Sequence, residues 1–99
     1  MLRHGPLTLD PARHRCTRDG TDLDLTPREF AVLQYLLAHR DAVVTKQELL
    51  DHVWGDNDAA DYNVVQVYVS SLRRKIDPAG QPSLIETVRG VGYRMREDP

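Results

Sequence analysis

The chain has 99 residues, 40% of them hydrophobic, one cysteine and a formal net charge of −2. That length supports one core and not two, so a single domain is expected over residues 1–99. No run approaches the ~20 apolar residues of a membrane span and residues 1–6 do not resemble a secretion signal, which points to a cytoplasmic protein in which Cys16 forms no internal disulfide.

The first quarter of the chain alternates. Leu7 and Leu9, then His14, Cys16 and Arg18, then Leu23 and Leu25 are separated by polar residues, and Asp19-Gly20 is a strong hairpin dipeptide. A small antiparallel sheet is predicted within 4–25, with Cys16 as an apolar strand residue. Thr26-Pro27-Arg28-Glu29 then supplies an N-cap, a proline at the first helical position and a capping-box glutamate. Phe30, Leu33, Leu36 and Leu37 continue at helical spacing until Arg40-Asp41.

After the β-prone Val43-Val44, Thr45-Lys46-Gln47-Glu48 repeats the capping signal, and Leu49, Leu50, Val53 and Trp54 form a second apolar stripe that Gly55 ends. A polar loop follows, and Asn63, with Gln66 at the box position, predicts a third helix from about Val64 to Ile76, closing a helical core over 26–77. Asp77 to Pro82 breaks the chain. Leu84 to Val88 and Gly92 to Met95 read as a hairpin around Arg89-Gly90-Val91, within 84–96. An α+β chain in this order is a winged helix-turn-helix.

On the third helix Val65, Val69, Leu72 and Ile76 recur at i, i+4, i+7 and i+11, one buried stripe. The opposite face carries Val64, Gln66, Val67, Ser70, Ser71 and Arg74. Valine can meet a thymine methyl, glutamine can pair with adenine, and serine can bond donors or acceptors in a major groove. Tyr68, Arg73 and Arg74 flank that face and suit phosphate oxygens, although a basic run also complements the helix dipole by roughly 0.3–1 kcal/mol.

The net charge of −2 hides a division. Asp19 to Asp61 holds ten acidic residues against Arg28, Arg40 and Lys46, whereas Tyr62 to Arg96 holds Arg73, Arg74, Lys75, Arg89, Arg94 and Arg96 against Asp77 and Glu86. One part of the surface therefore attracts a polyanion and another repels it.

Four segments, Leu25 to Phe30, Thr45 to Leu50 with Trp54, Asn63 to Ile76, and Thr87 to Tyr93, together resemble the OmpR/PhoB effector-domain family, over nearly the whole chain. The resemblance implies a four-stranded N-terminal sheet, three helices and a wing hairpin. It implies sequence-specific binding of double-stranded promoter DNA, with the third helix in the major groove and Arg89 in the adjacent minor groove, whose narrow form favours a cation. Val64, Gln66, Val67, Ser70, Ser71 and Arg74 then face bases, and Trp54, Tyr68, Arg73, Thr87 and Tyr93 face phosphates, with Trp54 equally suited to the core. Some members carry arginines where this chain has Ser70 and Ser71, so bidentate guanine readout is absent there.

By the same resemblance the loop from Gly55 to Tyr62, with Asp56, Asp58 and Asp61, lies where RNA polymerase is touched. A phosphorylated receiver domain and its histidine kinase act upstream of this fragment, and the domain binds direct repeats as a head-to-tail tandem dimer while remaining a monomer when isolated.

Other chemistries lack their residues. Asp56 to Val67 misses the glycine and the bidentate acid of a calcium loop, and His4, His14, His39 and His52 form no paired zinc site. Gly90-Val91-Gly92 lacks the third glycine and the helix of a dinucleotide loop, and Ser70 and Ser71 have no nearby activating base. No cofactor, metal or catalysis is expected. The competing function is a winged helix for an acidic protein partner, which salt-sensitive duplex binding would distinguish.

Overall fold

In the computed structural model, which describes residues 1–55, 61–77 and 80–96, the alternating N-terminal segment forms four antiparallel strands in sequential order. These are β1 (Leu2–His4), β2 (Leu7–Asp10), β3 (Arg15–Arg18) and β4 (Thr21–Asp22). Arg18 pairs with Thr21 across Asp19 and Gly20, both at positive φ (52° and 84°), the backbone that an Asp-Gly hairpin turn provides. Leu7, Leu9 and Cys16 point inward, and burial pushes the Cys16 thiol pKa up to about 11.

Helix α1 (Pro27–Ala38) starts as expected. The Thr26 hydroxyl accepts from the Glu29 amide, the Glu29 carboxylate accepts from the Thr26 amide, and Pro27 sits at the first helical position. Its face bearing Phe30, Val32, Leu33, Leu36 and Leu37 is buried, each large side chain contributing about 1.5–3 kcal/mol. The N-terminal sheet lies against this helix, with His14 stacked on Phe30 at 3.9 Å between ring centroids. His4 Nε2 donates to the Arg96 carbonyl at 2.6 Å and Arg18 to that of Asp77 at 2.9 Å, tying the sheet to the second half of the chain.

Thr45 caps α2 (Lys46–Leu49) through a second capping box with Glu48, and the helix widens into a π-helical turn over Leu50–Trp54. Helix α3 runs from Tyr62 to Ile76. Its N-cap is Asp61 rather than Asn63. The Asp61 carboxylate accepts from the amides of Asn63 and Val64 at 3.0 and 3.3 Å, and an ionised acceptor at the positive end of a helix outcompetes a neutral one placed two residues later. Asp56 and Asp58 lie outside the described residues.

The C-terminal hairpin is larger than its sequence suggests. Strands β6 (Ile85–Val88) and β7 (Gly92–Met95) are joined by a short third strand, β5 (Val44–Thr45), which pairs with β7 in the order β5-β7-β6. Val44 opposes Tyr93 and Thr45 opposes Gly92, where a Cβ would stand 2.1 Å from the Val44 carbonyl oxygen. The winged helix-turn-helix is thus closed, the wing hydrogen-bonded to the strand that leads into α2.

Candidate nucleic-acid interface

The amphipathic division of α3 fixes what it can present. Val65, Val69, Leu72 and Ile76 are buried against α1 and α2, which turns Gln66, Val67, Ser70 and Arg74 outward. Val67 is 64% exposed, a large apolar side chain in the middle of a polar face. It forms a ridge between two open clefts. One, of about 510 Å³, is lined by Asn63, Gln66, Val67, Ser70 and Arg74. The other, of about 600 Å³, lies between α3 and the start of α1 and is lined by Val67, Tyr68, Ser71, Arg74 and Thr26 to Glu29. Val64 is half-buried against the core at the edge of this face.

The basic run at the end of α3 splits into three roles because each residue is turned about 100° from the last. Arg73 turns to the hairpin. Its Nε and Nη2 donate to the Ile85 carbonyl at 3.2 and 2.7 Å, Nη2 also reaches the Thr87 hydroxyl at 2.8 Å, and the guanidinium lies 5.8 Å from the centre of the Tyr93 ring. Lys75 turns inward to Glu29. Arg74 alone of the three faces solvent without a partner among the described residues.

Glu29 was legible in sequence only as a helix cap, yet it organises this surface from below. Its side chain is 2% exposed, and Oε1 accepts from the Thr26 amide at 2.8 Å and from Lys75 Nζ at 2.7 Å, while Oε2 accepts from the Ser71 hydroxyl. Burial alone would raise its pKa, but donors from Lys75, Ser71 and Thr26 outweigh burial and bring it down to about 2. A signal was available: Glu29 stands four residues before Leu33 and so lies on the apolar stripe of α1. Its partners Ser71 and Lys75 are an i, i+4 pair on α3.

Trp54 and Tyr93 support rather than protrude. Trp54 is 8% exposed, with Arg28 5.0 Å over its ring and Tyr68 packed edge-on at 5.3 Å. Tyr93 is 4% exposed beneath Arg73, and burial raises its pKa against the opposing charge of that arginine. Between them Tyr68 and Thr87 are the hydroxyl-bearing residues nearer solvent. Arg89 is exposed at the wing tip, ahead of Gly90 at φ 73°, and also has no partner among the described residues. Val91 and Tyr62 are exposed nearby, lining a cleft of about 250 Å³ with Gly90 and Thr45 to Gln47.

An exposed helix face and an exposed arginine at a hairpin tip are thus present together, the combination by which a winged helix can present a helix and a wing to a duplex. Among the described residues no group of three or more histidine, cysteine or acidic side chains converges as a metal site, and no helix is long and apolar enough to cross a membrane.

Residues 20–95 match the family described as "Transcriptional regulatory protein, C terminal". The transcriptional regulatory protein PrrA of Mycobacterium tuberculosis is 48% identical over 92 residues, covering 93% of this chain and 40% of that protein, so the chain spans about two fifths of this relative. A streptococcal structure described as belonging to a family of redox sensors evolved from two-component response regulators superposes with a TM-score of 0.90 at 39% identity, covering 98% of this chain and 42% of that one. The DNA-binding domain of the response regulator AdeR, solved in complex with an intercistronic region, superposes with a TM-score of 0.84 at 29% identity, over 98% and 99% of the two chains.

Proposed function

Because the chain belongs to the OmpR/PhoB-type family of transcriptional regulatory protein C-terminal domains, we propose that it is the sequence-reading half of a two-component response regulator. It binds promoter DNA with α3 in the major groove and the Arg89 wing tip in the neighbouring minor groove. The observation that carries this reading is Val67, an apolar side chain 64% exposed at the centre of α3 and flanked by Gln66, Ser70 and Arg74, since thymine methyls reward such contact and water does not.

Gln66, Val67 and Ser70 read base edges, with Ser71 beside them and Val64 bordering the face. Arg74 and Arg89 carry the charge that reaches DNA. Tyr68 and Thr87 face phosphates, and Trp54, Arg73 and Tyr93 hold them in place. A module of this size covers only about 600–1,000 Å² of DNA, which favours tandem binding to direct repeats about one helical turn apart. A receiver domain, a histidine kinase and RNA polymerase are the protein partners of that reading, Asp61 lying at the edge of the polymerase-facing loop, and the cytoplasm is its compartment. The family is one of transcription regulators and not of enzymes.

Selection from a random duplex library at two salt concentrations tests the reading. Enriched direct repeats with affinity falling steeply in salt are expected. Recovery of unenriched sequence, or salt-insensitive retention, would instead favour a protein partner for this surface.

A further inference from the structure

A serine hydroxyl carries one proton and two lone pairs, so on an exposed helix face it can meet either a donor or an acceptor on a base edge. Ser70 keeps that freedom, being exposed and without a partner among the described residues. Ser71 does not. Its hydroxyl is bonded to Oε2 of Glu29, a buried carboxylate whose Oε1 already holds the Thr26 amide and the Lys75 ammonium. A carboxylate held this way has no proton to give, so the hydrogen in the Ser71–Glu29 bond belongs to Ser71. Only lone pairs remain to Ser71 in the cleft that it lines beside Val67 and Arg74.

We infer that Ser71 is a specificity residue that only accepts, selecting at the base it faces an exocyclic amino group, adenine N6 or cytosine N4, over the carbonyl of guanine or thymine. The inference rests on the proposed entry of α3 into the major groove. There adenine and cytosine offer amino donors, whereas guanine O6 and thymine O4 would set lone pair against lone pair. The pKa of Glu29, about 2, keeps its carboxylate ionised at neutral pH, so the assignment does not drift with ordinary conditions.

The arrangement also predicts an inversion. In Glu29→Gln the Thr26 amide and Lys75 still require an oxygen where Oε1 stands, so the new NH2 takes the Oε2 position and donates to Ser71. The serine proton is then turned out toward the groove, and the same hydroxyl should prefer guanine or thymine.

The test is selection from a random duplex library with the 99-residue chain and its Ser71→Ala, Ser71→Thr and Glu29→Gln variants, each first checked for folding by circular dichroism. The parent is expected to enrich a site with one position restricted to adenine or cytosine. Ser71→Ala should lose roughly three- to tenfold preference at that position alone, Ser71→Thr should keep it, and Glu29→Gln should shift it to guanine or thymine. If Glu29→Gln fails to fold, the alanine and threonine variants decide between them. An unchanged site for Ser71→Ala, or a Ser71-dependent position that is guanine or thymine in the parent, overturns the inference while leaving DNA binding intact. No enrichment by the parent removes both.

Discussion

Replacing Glu29 with glutamine should lower the stability of the folded chain by about 3 kcal/mol at neutral pH. The figure follows from the drop in the Glu29 pKa from 4.5 to about 2, each tenfold change in proton affinity being worth about 1.4 kcal/mol. Glutamine keeps the shape of the side chain and, like the protonated acid, lacks the carboxylate's charge, so it forfeits what ionisation contributes. A folded-state pKa below the unfolded one means that this stability is fully present above pH 4.5 and is lost as the pH falls toward 2. The gap between parent and variant should therefore be widest near pH 6.5 and should close by about pH 2. Set against the ~5–15 kcal/mol that holds a domain of this kind together, the loss is large but survivable. Urea melts at pH 6.5, 4.0 and 2.5, followed by the fluorescence of the single tryptophan, Trp54, would measure it. A gap under about 1 kcal/mol at pH 6.5, or one that stays constant with pH, would refute the assignment of Glu29 as a buried charge held by Lys75, Ser71 and Thr26.

Val67→Glu should abolish duplex binding in a fluorescence anisotropy titration while changing stability by less than about 0.5 kcal/mol, since the side chain is exposed; unchanged affinity would remove this face of α3 from the interface. Arg73→Ala deletes three hydrogen bonds to the hairpin and should cost roughly 1.5–3 kcal/mol, with faster hydrogen exchange at the β6 and β7 amides. Exchange at parental rates would mean that the wing is held by other contacts. Gly92→Ala drives a Cβ against the Val44 carbonyl and should cost at least about 2 kcal/mol in a thermal or urea melt; a parental melt would show that β5 can separate from β7 without loss.

What could be read in advance was what neighbours in sequence decide. Both capping boxes, the Asp-Gly hairpin and the four buried positions of α3 are local patterns, set by side chains within a turn or two of one another. The start of α3 escaped because Asp61 and Asn63 are both capping residues, and periodicity cannot choose between them. The pairing of β5 with β7 and of Glu29 with Lys75 escaped for another reason. Each joins residues more than 45 positions apart, and no local pattern carries such a contact. The same limit made Arg73, Arg74 and Lys75 look like one basic block, whereas only Arg74 is left facing solvent. It also left Ser71 looking as free as Ser70, because the carboxylate that accepts its hydrogen bond sits on another helix.

The chain's single thiol is held inside the N-terminal sheet, with its pKa raised to about 11. At neutral pH the thiolate that reacts with maleimides is therefore scarce and shielded. A cysteine introduced by Gln66→Cys or Val67→Cys would be the only accessible one, and Cys16 could stay in place to fill its part of the core. Photocrosslinkers or spin labels can thus be attached at chosen points along α3 and the wing, so the register of a bound duplex can be mapped atom by atom on an otherwise native protein.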